Sequence, residues 1–569
     1  MIRRSITLRS RCAAFVLLGL AAVLMVRAVW LQAFNDEFLT RQADVRHLRT
    51  AKIPAHRGVI TDRNGEPLAV STPVDSVWVN PRQIVRAPDR IGQLAAALGA
   101  DPEELARRLT SNSNREFMYL KRHMRPGDAQ AIAELKIPGV DVEREYQRYY
   151  PAGEVIGHLV GFTNIDDVGQ EGLELAFDHW LAGRPGKKRV LKDRLGRIVE
   201  DVERLESPSP GRELATSIDL RIQYLAYREL KTAIKRSGSA SGSVVVLDAG
   251  TGEVLAMVNQ PSYNPNQQKN MDPAQRRNRA LTDVFEPGSA VKPFTLAAAI
   301  DRGLYTSKSR IDTTPGWFMV SGYPVKDVRN YGELDLAGIL RKSSNVGASR
   351  IAQSMQGNEL WQSFSDYGFG QAPGVSFPAE SSGYFSHYSQ WQPLDHATMG
   401  FGYGLSVSIT QLARAYAVIA NRGRRLDISL IKQNPEEVLE NEISRHVMKV
   451  STTKMVLQMM EEVVGPKGTA RQAAVAGYRI AGKTGTVKKS VDGGYQEDDY
   501  MAIFAGIAPV SNPRLVMAVV IDEPTQNGYY GGQVAAPVFQ EVMSNALRIL
   551  DIAPDNLPSL QAPNMDAGA

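Results

Sequence analysis

The stretch FEPGSAVKPF, residues 285 to 294, places Ser289 three residues before Lys292 at the start of an apolar run. Its Pro-Gly pair predicts a turn, and the apolar residues that follow predict a buried helix beginning near Ser289. Residues three apart lie on one face of a helix, so the hydroxyl and the amine would be neighbours. An ammonium held among apolar side chains is disfavoured, and the lysine can then act as a neutral base for the serine.

The same spacing occurs a second time, at Ser451 and Lys454 in VMKVSTTKMVLQMMEEVV. That segment has the apolar spacing of an ordinary amphipathic helix, with Ser451 suited to cap its start. A serine and a lysine three residues apart therefore do not identify a catalytic pair by themselves. Only the copy at Ser289 follows a Pro-Gly turn and heads an apolar run.

Two further motifs follow along the chain. RKSSNVGASRIA contains Ser343 and Asn345, a hydroxyl and an amide that can face one cleft, and IAGKTGTVKK contains the tetrad 483–486. On a strand, alternation puts the lysine and glycine of the tetrad on one face and its two threonines on the other, unless a twist or bulge near the glycine turns them. Each motif also has an ordinary interpretation, a helix cap or a polar edge strand. The order Ser-x-x-Lys, Ser-x-Asn, Lys-Thr-Gly is nevertheless a specific signature.

The N-terminus predicts a membrane anchor. Four arginines within the first eleven residues precede CAAFVLLGLAAVLMVRAVWL, 20 residues that match the length needed to cross a bilayer core. The arginines keep the N-terminus cytoplasmic and place the remaining chain outside. The alternative is a cleavable signal peptide, whose apolar core would span only about 7 to 15 residues, and no small-residue cleavage site follows. The only cysteine is Cys12, in the span, so the outer part has no disulfide and no four-cysteine zinc site.

Composition predicts at least two folded units after the anchor. The chain has 569 residues, 43% of them hydrophobic and 22% charged, which is typical of a globular protein larger than one domain. Its formal charge of +5, without a basic block or a nucleic-acid motif, argues against nucleic acid as a partner.

Patterning divides the chain into five parts. We expect a cytoplasmic tail at 1–11, an anchor at 12–32, an α+β unit at 33–215, a large mixed domain at 216–550 and a disordered Pro-rich tail at 551–569. The α+β unit begins with a stalk of helical spacing at 34–49, and Asn64-Gly65 predicts a hairpin between 58–61 and 67–70. The large domain takes apolar strands from both of its ends and has a helix-rich middle.

The three motifs in this order resemble the class B penicillin-binding proteins, the monofunctional peptidoglycan D,D-transpeptidases, and most closely the septal type of Gram-negative bacteria. The resemblance covers nearly the whole chain, including RGVITDRNGEPLA, REFMYLKR, GHLVGFTNIDDVGQEGLE, FGYGLSVSITQLARAYAVIAN and GYYGGQVAAPVF. It implies a transmembrane helix, then a non-catalytic α+β pedestal of the dimerisation type. A penicillin-binding transpeptidase domain follows, with a mixed antiparallel sheet and a helix-rich subdomain.

The resemblance also implies roles, carried over position by position. Ser289 is the expected acyl-accepting nucleophile and Lys292 its general base, while Ser343 and Lys483 help to move the proton to the leaving amine. The backbone N–H groups of Ser289 and Thr486 form the expected oxyanion hole. The other expected substrate-binding residues are Asn345 for the side-chain amide, Thr484 and Thr486 for the terminal carboxylate, Gly485 for a peptide added along the strand, and Tyr403, Tyr529 and Tyr530 lining the cleft. Aromatic core packing is an equal interpretation for each of these tyrosines.

The implied reaction needs no cofactor and no metal. Ser289 attacks the D-Ala-D-Ala bond of a stem peptide, D-alanine leaves, and the acyl group passes to a side-chain amine of a neighbouring stem. β-Lactams mimic D-Ala-D-Ala and acylate the same serine. The implied location is the bacterial inner membrane with a periplasmic catalytic domain, and the implied protein partners are a lipid-linked glycan polymerase and other division proteins.

Three other interpretations remain at this point. An elongation-type class B paralogue would carry the same motifs. A β-lactamase or carboxypeptidase would need a group that activates water, and the only Glu-x-x-x-Asn candidate, Glu437 to Asn441, lies far beyond Asn345 in a charged segment that we interpret as coincidental. A β-lactam sensor would need a cytoplasmic signalling domain, for which about eleven residues before the span leave no room.

Overall fold

The computed structural model describes residues 2–33, 48–192, 198–268, 272–434, 445–491 and 494–557. The chain forms two compact units, one of residues 1–57, 72–147 and 182–211, the other of residues 58–71, 148–181 and 212–569. Both contain helices and strands, so the predicted mixed class is confirmed. Residues 58–71 and 148–181, which the sequence places in the α+β unit at 33–215, group by their contacts with the second unit. Such a grouping depends on long-range packing, which sequence patterns do not report.

The N-terminal helix spans Ile2–Ala33. Its segment Arg11–Trp30 has a mean hydropathy of 2.4, and by length and composition it can cross a membrane. The guanidinium of Arg27 stacks on the ring of Trp30 at 4.6 Å, near the end of that segment. The predicted helical stalk falls largely outside the described residues, and its last residues belong instead to the strand Leu48–Ile53.

The first unit contains a three-stranded antiparallel sheet in the order Leu48–Ile53, Gly186–Lys192, Ile198–Glu206. A second group of strands consists of Pro67–Val79, Met118–Met124 and Val140–Tyr149, the first and last of which continue into the second unit. Its helices are Pro81–Ile84, Ile91–Leu98, Pro102–Ser111 and Pro126–Glu134. Alternate strand residues and the apolar faces of these helices form one core that includes Val77, Leu94, Leu109 and Ile132.

The second unit begins with the predicted hairpin. Ile60–Thr61 pairs with the start of Pro67–Val79, but the loop is longer than two residues because the Asp62 carboxylate accepts bonds from the N–H groups of Asn64 and Glu66. Leu214–Ala215 adds a parallel strand. The short helices of this part are Gly157–Val160, Gly172–Ala176 and Asp178–Leu181.

A five-stranded antiparallel sheet forms the centre of the second unit. Its order is Val254–Gln260, Ser241–Asp248, Leu515–Asp522, Gly494–Ala508 and Ala481–Val491. The two strands Ser241–Asp248 and Leu515–Asp522 are buried along almost their whole length, as expected of apolar runs. The strand Ala481–Val491 is at the edge of the sheet.

Helices cover this sheet and build the region around its edge strand. Leu220–Ser237, which Asp219 caps as predicted, and Ala536–Ile549 pack on each other and on the sheet. Ile409–Ala420 also packs on the sheet and is buried throughout. The other longer helices of the helix-rich middle are Lys292–Asp301, Leu336–Lys342, Asn345–Gln353, Gly357–Asp366, Pro393–Met399 and Val450–Val464.

The start of the predicted disordered tail is ordered. The Asp555 carboxylate accepts bonds from the N–H groups of Arg479 and Ser511, at 2.7 and 3.0 Å, and the Tyr478 hydroxyl donates to the carbonyl of Ile552 at 2.6 Å. These bonds hold residues 551–557 to the second unit, and residues 558–569 lie outside the described part of the chain.

Candidate active site

Ser289 lies in a tight turn immediately before a buried helix. The turn is a 3-10 segment, Gly288–Val291, and the α-helix begins at Lys292, three residues later than the sequence predicted. Gly288 has a φ of +49°, and a Cβ there would lie 2.2 Å from a methyl carbon of Val487. A residue with a side chain cannot adopt this turn without displacing the neighbouring strand, so the glycine fixes where the serine is presented.

Lys292 is fully buried, and its amine is surrounded by acceptors from the second motif. Its Nζ donates to the carbonyl of Ser343 at 2.6 Å and to Oδ1 of Asn345 at 2.8 Å. The Ser343 hydroxyl is a further neighbour at 3.2 Å. The first and second motifs, more than 50 residues apart, are therefore joined at this amine.

The second motif connects two helices. Ser343 adopts a left-handed conformation, with φ of +58°, at the end of Leu336–Lys342, and Ser344 caps the start of Asn345–Gln353 by accepting from the N–H of Gly347. The ordinary interpretation as a helix cap thus applies to Ser344. Ser343 and Asn345, on either side of it, are the residues that contact Lys292.

Lys483, in the third motif, contacts the hydroxyl of Ser343 as well. It is fully buried in the edge strand, and its Nζ donates to Oγ of Ser343 at 3.0 Å and to the carbonyl of Thr484 at 3.1 Å. The hydroxyl of Thr484 lies 3.2 Å from that of Thr469 and 3.5 Å from Lys483 Nζ, and Thr486 Oγ1 accepts from the N–H of Gly531. The pairing register is continuous through the tetrad, so no bulge interrupts it near the glycine.

Burial changes the protonation of both lysines. It lowers the pKa of Lys483 to about 7. Burial, reinforced by the positive charge of Lys483, also lowers the pKa of Lys292 well below its ordinary value, and the carboxylate of Asp327 opposes that shift. A neutral amine at this position has the character of a general base near neutral pH.

Glycines allow the turn that contains Ser289 to approach its neighbours closely. A Cβ on Gly485 would lie 2.8 Å from the carbonyl oxygen of Pro287, and a Cβ on Gly402 only 2.1 Å from that of Gly288. The two residues that precede Ser289 are thus packed against the backbone at Gly485 and Gly402. The close approach to Pro287 is a structural reason for a glycine at position 485.

The three tyrosines divide into two groups. Tyr403 is half-buried and packs edge-on against Phe401 and Tyr495, at 5.4 and 6.0 Å. Tyr529 stacks between Tyr500 and Tyr530, at 4.3 and 4.4 Å, and Tyr530 is 53% exposed. Tyr403 therefore contributes to packing, whereas the Tyr529–Tyr530 stack presents aromatic surface to solvent.

The second Ser-x-x-Lys pair is not among the residues that contact Lys292 or Lys483. Ser451 and Lys454 are both exposed on the helix Val450–Val464. Glu437 and Asn441 lie outside the described residues. In the described ranges, no group of three His, Cys, Asp or Glu side chains is placed to hold a metal ion.

Three residues near the site were not found from the sequence. Asp327 accepts bonds from the second motif, Thr469 contacts Thr484, and the carboxylate of Glu286 accepts from the N–H of Gly404 and from the Tyr495 hydroxyl. Burial raises the pKa of Glu286. Glu286 lies within the opening stretch, and a carboxylate among apolar residues was a signal that could have found it; Asp327 and Thr469 carry no local signal.

Comparison with known proteins identifies the family. Residues 242–544 match the penicillin-binding protein transpeptidase domain, and residues 52–216 match the penicillin-binding protein dimerisation domain. The chain belongs to the penicillin-binding protein transpeptidases. The resemblance inferred from the motifs is confirmed.

Full-length relatives place this penicillin-binding protein more closely. It is 43% identical over 547 residues to the peptidoglycan D,D-transpeptidase FtsI of Escherichia coli, covering 95% of this chain and 92% of that protein. It is 42% identical over 544 residues to the probable peptidoglycan D,D-transpeptidase PbpC of Pseudomonas aeruginosa, covering 95% of each. A solved peptidoglycan synthetase from Bifidobacterium adolescentis, 26% identical, superposes with a TM-score of 0.71 over 90% of this chain and 98% of that one.

Proposed function

We propose that this penicillin-binding protein is a serine peptidoglycan D,D-transpeptidase that cross-links stem peptides during septal wall synthesis and is acylated by β-lactams at Ser289. The observation that supports this best is the convergence of two fully buried lysines, Lys292 and Lys483, on the hydroxyl of Ser343. Buried lysines without a carboxylate partner within bonding distance are rare unless chemistry requires them.

Acylation begins with Lys292 as the base. A neutral amine has two hydrogens and one lone pair, and the carbonyl of Ser343 and Oδ1 of Asn345 can only accept. They take the two hydrogens, which leaves the lone pair for the proton of Ser289. The Ser289 oxygen then bonds to the carbonyl carbon of the penultimate D-alanine, and the carbon–nitrogen bond to the last D-alanine breaks.

Proton return completes the first half-reaction. The proton held by Lys292 must reach the departing amine nitrogen, and Ser343 lies between Lys292 and Lys483 as the connecting hydroxyl. In the second half-reaction the acceptor amine attacks the ester and gives up one proton. Ser289 recovers that proton as its bond to the acyl carbon breaks, so the cycle consumes neither water nor nucleotide.

The edge strand binds the donor peptide. An open edge offers backbone hydrogen bonds to an extended chain, and Gly485 leaves the approach free of a side chain. The hydroxyls of Thr484 and Thr486 bind the terminal carboxylate, and Asn345 binds the peptide amide through its Nδ2. The backbone N–H groups of Ser289 and Thr486 hold the developing oxyanion, while Tyr403, Tyr529 and Tyr530 line the cleft.

The N-terminal helix anchors the enzyme in the inner membrane with the catalytic unit in the periplasm. The basic residues that precede the span support this orientation. An alkaline phosphatase fusion after residue 60 should be active, and the protein should remain in the membrane after a carbonate wash. An inactive fusion or a soluble, shortened protein would contradict the orientation.

The partners are a lipid-linked glycan polymerase and other division proteins that dock on the pedestal. The septal assignment rests on the sequence resemblance and on the FtsI relatives, in preference to an elongation role. A fluorescent fusion should concentrate at midcell. Uniform labelling of the side wall would favour the elongation role instead.

A hydrolase is the second candidate, and the fate of the acyl-enzyme separates the two. Loss of general-base assistance to water costs about 10² to 10⁴ in rate, so a penicillin adduct of a transpeptidase should persist for tens of minutes or longer. The test is mass spectrometry of the detergent-solubilised full-length protein after a penicillin pulse and a drug-free chase, with peptide mapping to Ser289. Return of free enzyme within seconds, together with hydrolysed penicillin, would favour the hydrolase and direct attention to Glu437.

A further inference from the structure

A small hairpin lies beside the second motif without belonging to any of the three signature motifs. Its strands, Trp317–Val320 and Tyr323–Lys326, pair antiparallel, and Val320 and Val325 pack with Ala348, Ala397 and Phe401 in a cluster apart from the main core. The other residues of the hairpin are largely exposed, and Val328, two residues after it, is 95% exposed. The hairpin therefore adds little to the main core, and its position calls for a different explanation.

The residue that follows the hairpin, Asp327, binds the start of the helix Asn345–Gln353. Its Oδ1 accepts from the backbone N–H groups of Asn345, at 2.5 Å, and Val346, at 3.0 Å. Its Oδ2 accepts from the hydroxyl of Ser344 at 2.6 Å. All three bonds end on the second motif or on the residue after it, and the carboxylate also lies at the positive end of the helix dipole.

The carbonyl of Lys326 fixes the amide of Asn345. It accepts from Asn345 Nδ2 at 3.1 Å, while Oδ1 of the same amide accepts from Lys292. A flipped amide would place Nδ2 against the Lys292 amine and Oδ1 against a carbonyl oxygen, which is unfavourable on both sides. The hairpin end thus determines which atom of Asn345 faces the base, and its second Nδ2 hydrogen remains free for a substrate carbonyl.

We propose that Asp327 is a positioning residue for the acyl-transfer reaction, which holds Ser343 and Asn345 at the distances from Lys292 that keep this amine correctly oriented. The proposal deepens the proposed function and rests on it. Asp327 accepts its bonds from Ser344 and from the backbone of Asn345 and Val346, so its effect passes through the second motif.

The charge of Asp327 gives the proposal a signature that a purely structural role lacks. Lys483 and Asp327 are the charged groups that act on Lys292, with opposite effects: the lysine lowers its pKa and the aspartate raises it. Removal of the negative charge should lower the pKa of Lys292 further. The fall of the acylation rate in acid would then begin at a lower pH, because Lys292 stays neutral in more acidic solution.

Two substitutions separate geometry from charge. Asp327→Asn keeps an acceptor for the two N–H groups but removes the charge, whereas Asp327→Ala removes all three bonds. The matched control is Asp335→Ala, because Asp335 caps the preceding helix Leu336–Lys342 through the N–H of Gly338 at 2.7 Å, and its hydrogen bond is to that helix and not to the second motif. Thermal unfolding of each full-length protein gives the folded fraction for normalisation.

The measurement is the second-order rate of acylation by a fluorescent penicillin between pH 5 and pH 9. Asp327→Ala should lose about tenfold to a hundredfold in rate, as small misplacements of reacting groups do. Asp327→Asn should lose less, and the fall of its rate in acid should begin at a lower pH. Asp335→Ala should keep both the rate per folded molecule and the pH profile of the unsubstituted protein.

Each result decides between explanations. Unchanged profiles and rates per folded molecule in both Asp327 variants would overturn the positioning role while leaving the transpeptidase assignment intact. An equal loss in Asp335→Ala would also overturn it, because any helix cap would then have the same effect. Absence of acylation at Ser289 in the unsubstituted protein would overturn the proposed function, and the role of Asp327 with it.

Discussion

Lys292 and Lys483 share one hydroxyl group: their Nζ atoms lie 3.2 and 3.0 Å from Oγ of Ser343. Two ammonium groups so close in a buried site repel each other, and burial disfavours the charge on each. The favoured state therefore has at least one neutral amine. The shared hydroxyl also provides a path by which a proton taken up at one lysine can be delivered from the other.

The acylation rate should rise with pH as Lys292, the proposed base, loses its proton, and burial together with the charge of Lys483 brings that step well below the ordinary pKa of a lysine. Below its pKa Lys292 is an ammonium that cannot accept the proton of Ser289, and above it the amine is neutral. The rate of penicillin acylation, measured from pH 5 to pH 9, tests this, and thermal unfolding over the same range serves as the control for folding. A flat profile would mean that neither lysine titrates in the reaction.

Substitution of Ser289 should abolish labelling, whereas substitution of Ser451 should not. Ser289→Ala removes the hydroxyl of the proposed nucleophile, three residues before the buried Lys292, and Ser451→Ala alters an exposed residue with the same sequence spacing. Gel fluorescence after incubation with a labelled penicillin distinguishes them, with the quantity of folded protein checked by thermal unfolding. Labelling that survives in Ser289→Ala would exclude it as the nucleophile.

Gly485→Ala should slow acylation strongly. The added methyl would lie 2.8 Å from the carbonyl oxygen of Pro287, so the edge strand and the nucleophile turn must separate. A displacement on this scale at reacting groups can cost about a hundredfold in rate. Gly92→Ala is the control, since a Cβ there meets nothing within 4 Å and lies in the helix Ile91–Leu98. Equal rates in both variants would show that the close approach is unimportant.

The second unit should depend for its stability on a buried ion pair. Arg148 Nε lies 2.6 Å from Glu174 Oε1, and the two side chains are 2% and 0% exposed. Glu174→Ala leaves the guanidinium without this partner and should cost about 3 to 5 kcal/mol in the free energy of unfolding. The exposed pair Arg82–Glu116 is the control, because Glu116→Ala should cost no more than about 1 kcal/mol. Denaturant unfolding of both variants measures the difference, and equal losses would contradict it.

The features that could be predicted from the sequence are local. The cap at Asp219, the apolar strands around residues 245 and 519 and the strand that carries the third motif follow from the spacing of a few residues. The order of the three motifs predicted the family. The structure also brings together four of the predicted site residues: Lys292, Ser343, Asn345 and Lys483.

The remaining features depend on contacts between distant segments. The α-helix that follows Ser289 begins three residues later than predicted because Gly288 and its neighbours are packed against Val487 and Gly402. Asp327 binds Ser344, which lies 17 residues further along the chain. Its immediate neighbours, Lys326 and Val328, give no sign that it differs from a surface aspartate. The ordered segment 551–557 is another case. Its proline and acidic residues are typical of disorder, and its order depends on the hydrogen bonds that Asp555 accepts from distant residues.

The open edge of the five-stranded sheet carries a risk as well as a use. Unpaired backbone groups attract any extended chain, including another copy of the same protein, and exposed edges of this kind promote aggregation. Beyond the tetrad, the edge strand Ala481–Val491 carries Lys488 with its side chain exposed. Lysine on an edge strand discourages pairing between sheets, since two such edges brought together would place like charges side by side. One half of the strand can thus stay accessible to peptides while charge on the other half opposes self-association.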